Sequence, residues 1–175
     1  MRRIVEACNQ SNVPFRTLPS LSDLAFGRIS VNALREVSLE DLLGRDQVEL
    51  NWDKISTAIH NKRIIVTGGG GSIGSELCRQ IAELSPKSLT IIENNEFNLY
   101  AIEQELRKTY PQLRLHIELT SVTDRCAMAH IFQCVKPNMV FHAAAYKHVP
   151  MLEPQIRSAI LNNVIGTRIV AEATR

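Results

Sequence analysis

The sequence predicts an α/β fold, the first half of a Rossmann-type parallel sheet with helices on both faces. From residue 64 onward, short apolar runs alternate with segments whose apolar residues recur at helical spacing. Strands that alternate with helices through short links form parallel sheets covered on both faces. A run of glycines, Gly68 to Gly71, separates the first apolar run from the first helical segment, where such a fold needs a tight turn.

The first two strands and helices follow one another closely. Ile64-Ile65-Val66 is an apolar run of the kind that forms a strand buried on both faces. Apolar residues at helical spacing from Ile73 to Leu84 predict the first helix, which Ser85-Pro86 ends. Leu89–Ile92 predicts the second strand, and the helix after it ends near Tyr110-Pro111.

The third and fourth strands carry weaker signals. Residues 113–119 alternate between apolar and polar side chains, so we expect the third strand to be half exposed. Asp124 is expected to cap the next helix, which Pro137 ends. Met139–Ala143 predicts the fourth strand, and a final helix is expected from about Gln155 to the end of the sequence.

Residues 1–62 do not continue this alternation as clearly. The first 44 residues contain too little apolar sequence to bury a core of their own. They are either the tail of a preceding domain or an extension that packs on the main one. Residues 45–62 are interpreted as a connector, in which Trp52, Ile55 and Ile59 predict an amphipathic turn against the domain formed by residues 63–175.

Composition and charge exclude several classes of function. Hydrophobic residues make up 45% and charged residues 22% of the chain, which is ordinary for a soluble globular protein. A net charge of +2 predicts no nucleic-acid partner. No apolar run approaches the roughly 18 residues that span a bilayer, and no signal peptide is recognisable, so we expect the chain in the cytoplasm.

The cysteines predict no metal site. None of them belongs to a C-x-x-C pair or has a histidine at metal-ligand spacing. We expect small buried thiols of a reducing compartment. The cysteines are Cys8, Cys78, Cys126 and Cys134.

The glycine run predicts a site for the diphosphate of a dinucleotide, because it lies directly between a buried strand and a helix. Gly71 lets the backbone approach a pyrophosphate, and Gly74 lets the helix pack tightly on the strand. The free amides at Ser72, Ile73 and Gly74, together with the helix dipole, attract the phosphates. No Gly-Lys-Ser/Thr sequence follows, which disfavours a P-loop NTPase.

The ends of the other strands predict the rest of this site. Glu93 lies about 20 residues beyond the glycines, where an acidic side chain accepts hydrogen bonds from the adenosine ribose. A carboxylate there repels a 2′-phosphate and favours NAD over NADP. Ser121 and Val122 end the third strand, where the adenine ring is expected. The small side chains of Ala143–Ala145 leave room for the cofactor at the tip of the fourth strand.

Several strings of residues resemble one known family. They are Thr67-Gly-x-x-Gly-x-x-Gly74, Asn95-Glu-Phe-Asn-Leu-Tyr100, Phe141-His-Ala-Ala-Ala-Tyr-Lys-His-Val-Pro150, Asn163-Val-x-Gly-Thr167 and the connector Leu42-Leu-Gly-Arg-Asp-x-Val-Glu-Leu50. Through them the chain resembles the extended short-chain dehydrogenase/reductases. Within that group it is similar to the polysaccharide-biosynthesis nucleotide-sugar dehydratases, typified by UDP-N-acetylglucosamine 4,6-dehydratase. The resemblance covers nearly the whole chain.

The resemblance implies a membrane-anchored, cytoplasm-facing parent enzyme of glycan assembly that acts on a UDP-sugar. Such enzymes oxidise C4 of the sugar by hydride transfer to NAD or NADP, eliminate water across C5 and C6, and return the hydride to C6. In long members a transmembrane region and a first nucleotide-binding-like domain come before the catalytic domain. Residues 1–44 would then be the tail of that first domain, and membrane attachment would lie in a preceding segment. A sheet cut after four strands has an exposed edge, so we also expect a homo-oligomer.

The resemblance also implies roles for individual residues. Those implied in cofactor binding are Gly68, Gly71, Ser72, Ile73 and Gly74 for the pyrophosphate, Glu93 for the ribose, Ser121 and Val122 for the adenine, and Ala143, Ala144 and Ala145 beside the nicotinamide. Lys147 and His148 are implied near the sugar nucleotide, and Asn163 matches the helix asparagine that orders a proton relay. Alternatively, Lys147 and His148 are solvated loop residues, and Asn163 bonds only within its own helix.

The sequence departs from the family in one respect. The family's Thr-Asp-Lys segment and its Tyr- or Met-x-x-x-Lys motif, which supply the acid and the base, do not occur before Arg175. The chain alone is therefore expected to be inactive, and no catalytic residue is assigned within it. Three interpretations stay open: part of a dehydratase acting on a UDP-N-acetylhexosamine or of a related epimerase, a non-catalytic NAD(P)-binding module, or a structural fragment that pairs through its sheet edge.

Overall fold

The computed structural model describes residues 50–174. The tail expected over residues 1–44, the first part of the connector and Cys8 lie outside the described residues. The proposed domain boundaries therefore stay a prediction.

Four parallel strands form the sheet, in agreement with the predicted fold class. They are β1 (Arg63–Thr67), β2 (Ser88–Glu93), β3 (Leu115–Leu119) and β4 (Met139–His142). Their order is β3-β2-β1-β4, so β1 lies between β2 and β4. Thr67 at the end of β1 pairs with Ile92 of β2 and with His142 of β4. The carboxyl ends of these three strands therefore meet at one edge of the sheet.

Helices connect the strands as the apolar spacing predicts. They are α1 (Trp52–Ile59), α2 (Ser72–Glu83), α3 (Glu96–Thr109), α4 (Arg125–Val135), α5 (Val149–Leu152), α6 (Ile156–Ala159) and α7 (Thr167–Ala173). A 3-10 turn (Glu153–Gln155) joins α5 to α6, and a π-helical segment (Ile160–Gly166) joins α6 to α7. The side chain of Asp124 accepts a hydrogen bond from the N–H of Ala127 at 3.0 Å, which confirms the predicted cap of α4.

Two apolar cores cover the two faces of the sheet. Ile64 and Val66 of β1 pack with α2 and α3, whereas Ile65 packs with α4 and α7. This alternation follows from the pleat of a strand, which points successive side chains to opposite faces. All six residues of β2 are buried, while β3 carries a mixed pattern. Helices on both faces and a half-exposed third strand are thus confirmed.

The final helical segment differs from the prediction. It begins at Val149 instead of near Gln155, because Pro150 fits the first turn of a helix, where its missing N–H costs no hydrogen bond. Gln155 departs from helical geometry, with φ −120° and ψ 44°, and therefore interrupts the segment there. Beyond it lies the π-helical segment instead of the regular helix that was expected.

The connector forms a longer helix than the single turn expected. The side chain of Asn51 accepts a hydrogen bond from the N–H of Lys54 and begins α1. Ile59 is buried in the core beside α2 and α3, and Ile55 packs against the same core. Trp52 remains 52% exposed, so only two of the three predicted apolar contacts form.

The expectation of buried thiols is correct for Cys78 and wrong for Cys126 and Cys134, which are exposed. The last two lie on the outer face of α4, because Met128 and Ile131 occupy its inner face. Among residues 50–174, no group of three His, Cys, Asp or Glu side chains is arranged to hold a metal ion.

In the same part of the chain, no helix has both the length and the apolar character needed to cross a membrane.

Candidate functional site

The glycine loop begins at a residue that needs a left-handed backbone. Gly68 has φ +67°, and a Cβ built there would lie 2.7 Å from the carbonyl carbon of Ala143. Its N–H donates to the carbonyl oxygen of Ile92 at 2.7 Å. The loop is therefore fixed between the ends of β2 and β4 by backbone contacts that only glycine permits.

Gly74 is packed against backbone atoms, whereas Gly71 borders free space. A Cβ on Gly74 would overlap the carbonyl group of Gly68, so α2 packs on the loop as closely as backbone allows. A Cβ on Gly71 would meet only the Gly68 carbonyl oxygen at 3.4 Å, an ordinary contact. The space beside Gly71 opens into a cleft at the edge of the sheet. Gly74 is thus required by packing, while Gly71 leaves free space in front of the helix.

The start of α2 offers unpaired hydrogen-bond donors. Gly71 is the N-cap residue, and within residues 50–174 no side chain caps the helix. The N–H groups of Ser72, Ile73 and Gly74 belong to the first turn, which has no intrahelical acceptors. These donors and the positive end of the dipole of this twelve-residue helix attract an anionic group placed beside Gly71.

The carboxylate of Glu93 lies beside the glycine loop, and three backbone N–H groups hold it in place. One carboxylate oxygen, Oε2, accepts from the N–H of Gly70 at 3.0 Å. The other, Oε1, accepts from the N–H groups of Asn94 and Asn95 at 2.9 and 3.0 Å. The side chain is buried, yet it lines the cleft. Because an ionised carboxylate has about four acceptor positions, one position on Oε2 remains for a ligand hydroxyl.

The segment after β4 also lines the cleft, and two asparagines of the π-helical segment hold it. Asn162 is buried and donates from Nδ2 to the carbonyl oxygen of Ala144 at 2.7 Å. Asn163 accepts from the N–H of Tyr146 at 2.8 Å and donates to its carbonyl oxygen at 3.0 Å. Asn162 also donates to Oδ1 of Asn163 at 2.9 Å. A π-helical segment, a feature common at functional sites, thus carries two successive side chains that bind one loop.

The imidazole of His142 lies between the end of β1 and the start of α7. Nδ1 of His142 is 2.6 Å from the hydroxyl of Thr67, and its Nε2 is 2.9 Å from the hydroxyl of Thr167. Burial lowers the pKa of His142 below its ordinary value, because desolvation disfavours the charged ring. The ring is therefore neutral at pH 7, and it joins the end of β1 to the start of α7.

The structure brings together part of the predicted site. Seven of the predicted residues line the cleft: Gly68, Gly71, Glu93, Val122, Ala143, Ala144 and Ala145. Ser72 and Ile73 are exposed at the start of α2. The hydroxyl of Ser121 is 2.8 Å from that of Thr123 and does not line the cleft. Lys147 and His148 are exposed between β4 and α5, outside the cleft lining.

Other cleft residues were not predicted from the sequence. These are Ile92, Asn94, Asn98, Thr120, Tyr146 and Asn162. Asn162 adjoins the predicted Asn163, and a pair of asparagines inside an apolar helical segment is the one signal that could have identified it. The alternative considered for Asn163, bonding only within its helix, is wrong for its side chain, which binds the Tyr146 backbone.

Known proteins resemble this chain in sequence. The family model described as polysaccharide biosynthesis protein matches residues 64–175. The capsular polysaccharide biosynthesis protein CapD of Staphylococcus aureus is 40% identical over 176 residues, covering 100% of this chain and 29% of that protein. The dTDP-glucose 4,6-dehydratase 1 of Escherichia coli is 31% identical over 113 residues, covering 65% of this chain and 31% of that protein. This chain therefore spans less than a third of either relative.

A solved structure shares the fold. The Bordetella bronchiseptica enzyme WbmG, crystallised with NAD and UDP, superposes with a TM-score of 0.52 at 28% identity, covering 65% of this chain and 33% of that one. The family resemblance inferred from the glycine loop and the segments around β4 is confirmed. The chain belongs to the polysaccharide biosynthesis protein family.

Proposed function

We propose that this chain binds NAD in the cleft and is the cofactor-binding part of a nucleotide-sugar 4,6-dehydratase. The observation that carries the proposal is the free space beside Gly71, bordered by the uncapped start of α2 and by Glu93. The substrate we infer is a UDP-N-acetylhexosamine, used in the synthesis of a surface polysaccharide or another glycan. The nicotinamide supplies the chemistry of reversible hydride acceptance from the sugar.

The residues of this chain would bind and orient the dinucleotide. Backbone amides of Ser72, Ile73 and Gly74 would bind the pyrophosphate, with Gly68 and Gly71 admitting it. The free acceptor position on Glu93 suits a ribose hydroxyl. The nicotinamide half would then lie along Ala143–Ala145, whose backbone the π-helical asparagines fix.

The surroundings of Glu93 support NAD over NADP. Three backbone N–H groups fix the carboxylate, so it cannot swing away from a 2′-phosphate. Among residues 50–174, no lysine or arginine lines the cleft to neutralise such a phosphate. The presence of NAD in the WbmG structure agrees with this choice.

The proposed substrate rests on the relatives and on one loop. The family match and the dTDP-glucose 4,6-dehydratase relative support a nucleotide-sugar lyase, and the UDP in the WbmG structure supports a UDP-sugar. Lys147 and His148, exposed beyond the nicotinamide end of the cleft, would contact the sugar nucleotide. In the full-length parent loaded with NAD, Lys147→Ala should then weaken binding of UDP-N-acetylglucosamine, measured by saturation-transfer NMR. An unchanged signal would remove Lys147 from the proposal.

We also propose a homo-oligomer in the cytoplasm. Free exposed thiols at Cys126 and Cys134 suit a reducing compartment.

An exposed apolar stripe is suited to association between copies of the chain. It consists of three residues spaced four apart, Ile156, Ile160 and Val164, which are 64%, 48% and 57% exposed. Light scattering should give a mass above that of one chain, and Ile160→Glu should lower it. A monomer at all concentrations would contradict the oligomer.

Isothermal calorimetry with NAD and NADP tests the cofactor proposal on the whole chain. NAD should bind at least about tenfold more tightly than NADP, because the fixed carboxylate repels the 2′-phosphate. Gly71→Val should abolish binding while lowering the free energy of unfolding by no more than about 1 kcal/mol, because its backbone, with φ −74° and ψ 172°, accepts a branched side chain. Gln80→Ala, an exposed change on the same helix, is the matched control and should bind normally. Absence of heat with both dinucleotides would overturn the proposal.

Glu93→Gln tests the choice between the two dinucleotides. Glutamine removes the negative charge and keeps one oxygen acceptor, whereas its amide nitrogen cannot accept from a loop N–H as the second carboxylate oxygen does. The ratio of NAD affinity to NADP affinity should fall by about tenfold, as expected when one charge repulsion is removed. An unchanged ratio would show that Glu93 does not set the preference.

A further inference from the structure

A continuous chain of hydrogen bonds runs from Thr67, next to the glycine loop, to the backbone carbonyl of Asn163, whose side chain holds Tyr146. The hydroxyl of Thr67 lies 2.6 Å from Nδ1 of His142, and Nε2 of the same ring lies 2.9 Å from the hydroxyl of Thr167. The Thr167 hydroxyl is in turn 2.7 Å from the carbonyl oxygen of Asn163. The chain crosses from β1, through β4, to the π-helical segment.

The direction of each bond follows from the last one. A carbonyl oxygen only accepts, so the hydroxyl of Thr167 donates to Asn163. The oxygen of the Thr167 hydroxyl then accepts from the Nε2–H of His142. In a neutral imidazole the other nitrogen carries a lone pair, and therefore the Thr67 hydroxyl donates to Nδ1. One tautomer of His142 satisfies all three bonds.

The two ends of this hydrogen-bond chain, Thr67 and Asn163, are each next to a segment that lines the cleft. Thr67 is fully buried and directly precedes Gly68, whose N–H is fixed on β2. Asn163 holds both backbone groups of Tyr146, which lines the cleft. The only side chain that contacts both threonine hydroxyls among the described residues is the ring of His142.

We propose that His142 is a positioning residue that couples the glycine loop to the Tyr146 segment. Loss of either hydrogen bond of its imidazole loosens the distant side of the cleft as well as the near one. The role in dinucleotide binding rests on the proposed function, but the coupling itself exists without a ligand.

Amide hydrogen exchange on the whole chain tests the coupling without a ligand. Thr67→Val keeps the shape of the buried side chain and removes its hydroxyl. It should raise the exchange rate of the Tyr146 amide by about tenfold, a typical effect of losing one hydrogen bond. Thr90→Val is the matched control, because Thr90 is a fully buried threonine of β2 whose Oγ1 has no partner among the described residues. The control should change that rate less than about twofold.

The reverse experiment covers the case in which Thr67→Val does not fold. Thr167→Val, at the exposed end of the hydrogen-bond chain, should raise the exchange rate of the Gly68 amide, at the start of the glycine loop. In ¹⁵N-histidine spectra, His142 should show a protonated Nε2 and an unprotonated Nδ1. Exchange rates that change only beside the substituted threonine, or the opposite tautomer, would overturn the coupling.

NAD titrations of the same variants connect the coupling to the cleft. Each threonine variant should bind NAD about fivefold to tenfold more weakly, and the double variant should be no weaker than the worse single one, since either change interrupts the same chain. Effects that multiply in the double variant would contradict the coupling. If the unsubstituted chain does not bind NAD, the proposed function fails, while the exchange rates still decide the role of His142.

Discussion

The glycine loop, Gly68–Gly74, and the segment 143–146 both line the cleft and meet at Gly68, and different kinds of contact hold them. Backbone packing fixes the loop, since a Cβ at Gly68 or Gly74 would lie too close to neighbouring backbone atoms. Side chains fix the segment, through the amides of Asn162 and Asn163. One side thus depends on the absence of side-chain atoms, and the other on polar side chains that must be present.

The largest expected effect separates two glycines of the loop. Gly74→Ala should lower the free energy of unfolding by about 3 kcal/mol, because the new methyl group meets rigid backbone that has little room to move. Gly71→Ala should change it by no more than about 1 kcal/mol, since its Cβ meets only an ordinary contact. Urea unfolding of both variants measures the difference. Equal losses would mean that packing constrains the whole loop, including the space assigned to the pyrophosphate.

The next effect concerns the asparagines. Asn162→Ala should cost about 2 kcal/mol, because it removes two hydrogen bonds of a buried amide and leaves the Ala144 carbonyl without this donor. Asn163→Ala, at a less buried position, should cost about 1 kcal/mol. Urea unfolding compares them. If Asn163→Ala proved the more destabilising, the exposed pair of bonds to Tyr146 would be the stronger restraint.

The same contrast explains how far the sequence could predict the site. The glycine loop, the four strands and the Asp124 cap depend on neighbours in sequence, and all of them were predicted. Asn162 and Asn163 bind backbone groups 18 and 17 residues away, and His142 binds a hydroxyl 75 residues away. Such pairings depend on which strands become neighbours and on a π-helical turn, which local patterns do not encode.

The exposed cysteines show the same limit on a helix. The sequence predicted the cap and the end of α4 correctly. It did not predict which cysteines face outward, because a small thiol suits either environment. Burial raises the pKa of Cys78 to about 12, so among the described cysteines only Cys126 and Cys134 should react readily with iodoacetamide.

The pH dependence of stability tests the side of the cleft that side chains hold. Burial lowers the pKa of His142, so the unfolded chain binds a proton more readily than the folded chain does. The stability that depends on the neutral ring is therefore complete above the ordinary pKa of 6.5 and is lost as the pH falls below it. The slope from this group stays below about 1.4 kcal/mol per pH unit, the limit for one proton.

Comparison with His142→Gln isolates this contribution from the other histidines. Between about pH 6.5 and pH 5, the variant should lose stability less steeply than the unsubstituted chain in urea titrations. Parallel curves would show that His142 titrates alike in the folded and unfolded states. The ring would then hold the two threonines without depending on its charge.

The smallest expected effect concerns an ion pair near the glycine loop, the part of the cleft that backbone packing holds. Arg79 on α2 donates to both carboxylate oxygens of Glu105 on α3, at 2.6 and 3.0 Å, close to the glycine loop in sequence. Both side chains are about two-fifths exposed, and exposed pairs contribute little because water screens them. Glu105→Gln should therefore cost less than about 1 kcal/mol and leave NAD affinity unchanged. A loss as large as that of Asn162→Ala would mean that side chains also hold the glycine loop, and the contrast between the two sides of the cleft would disappear.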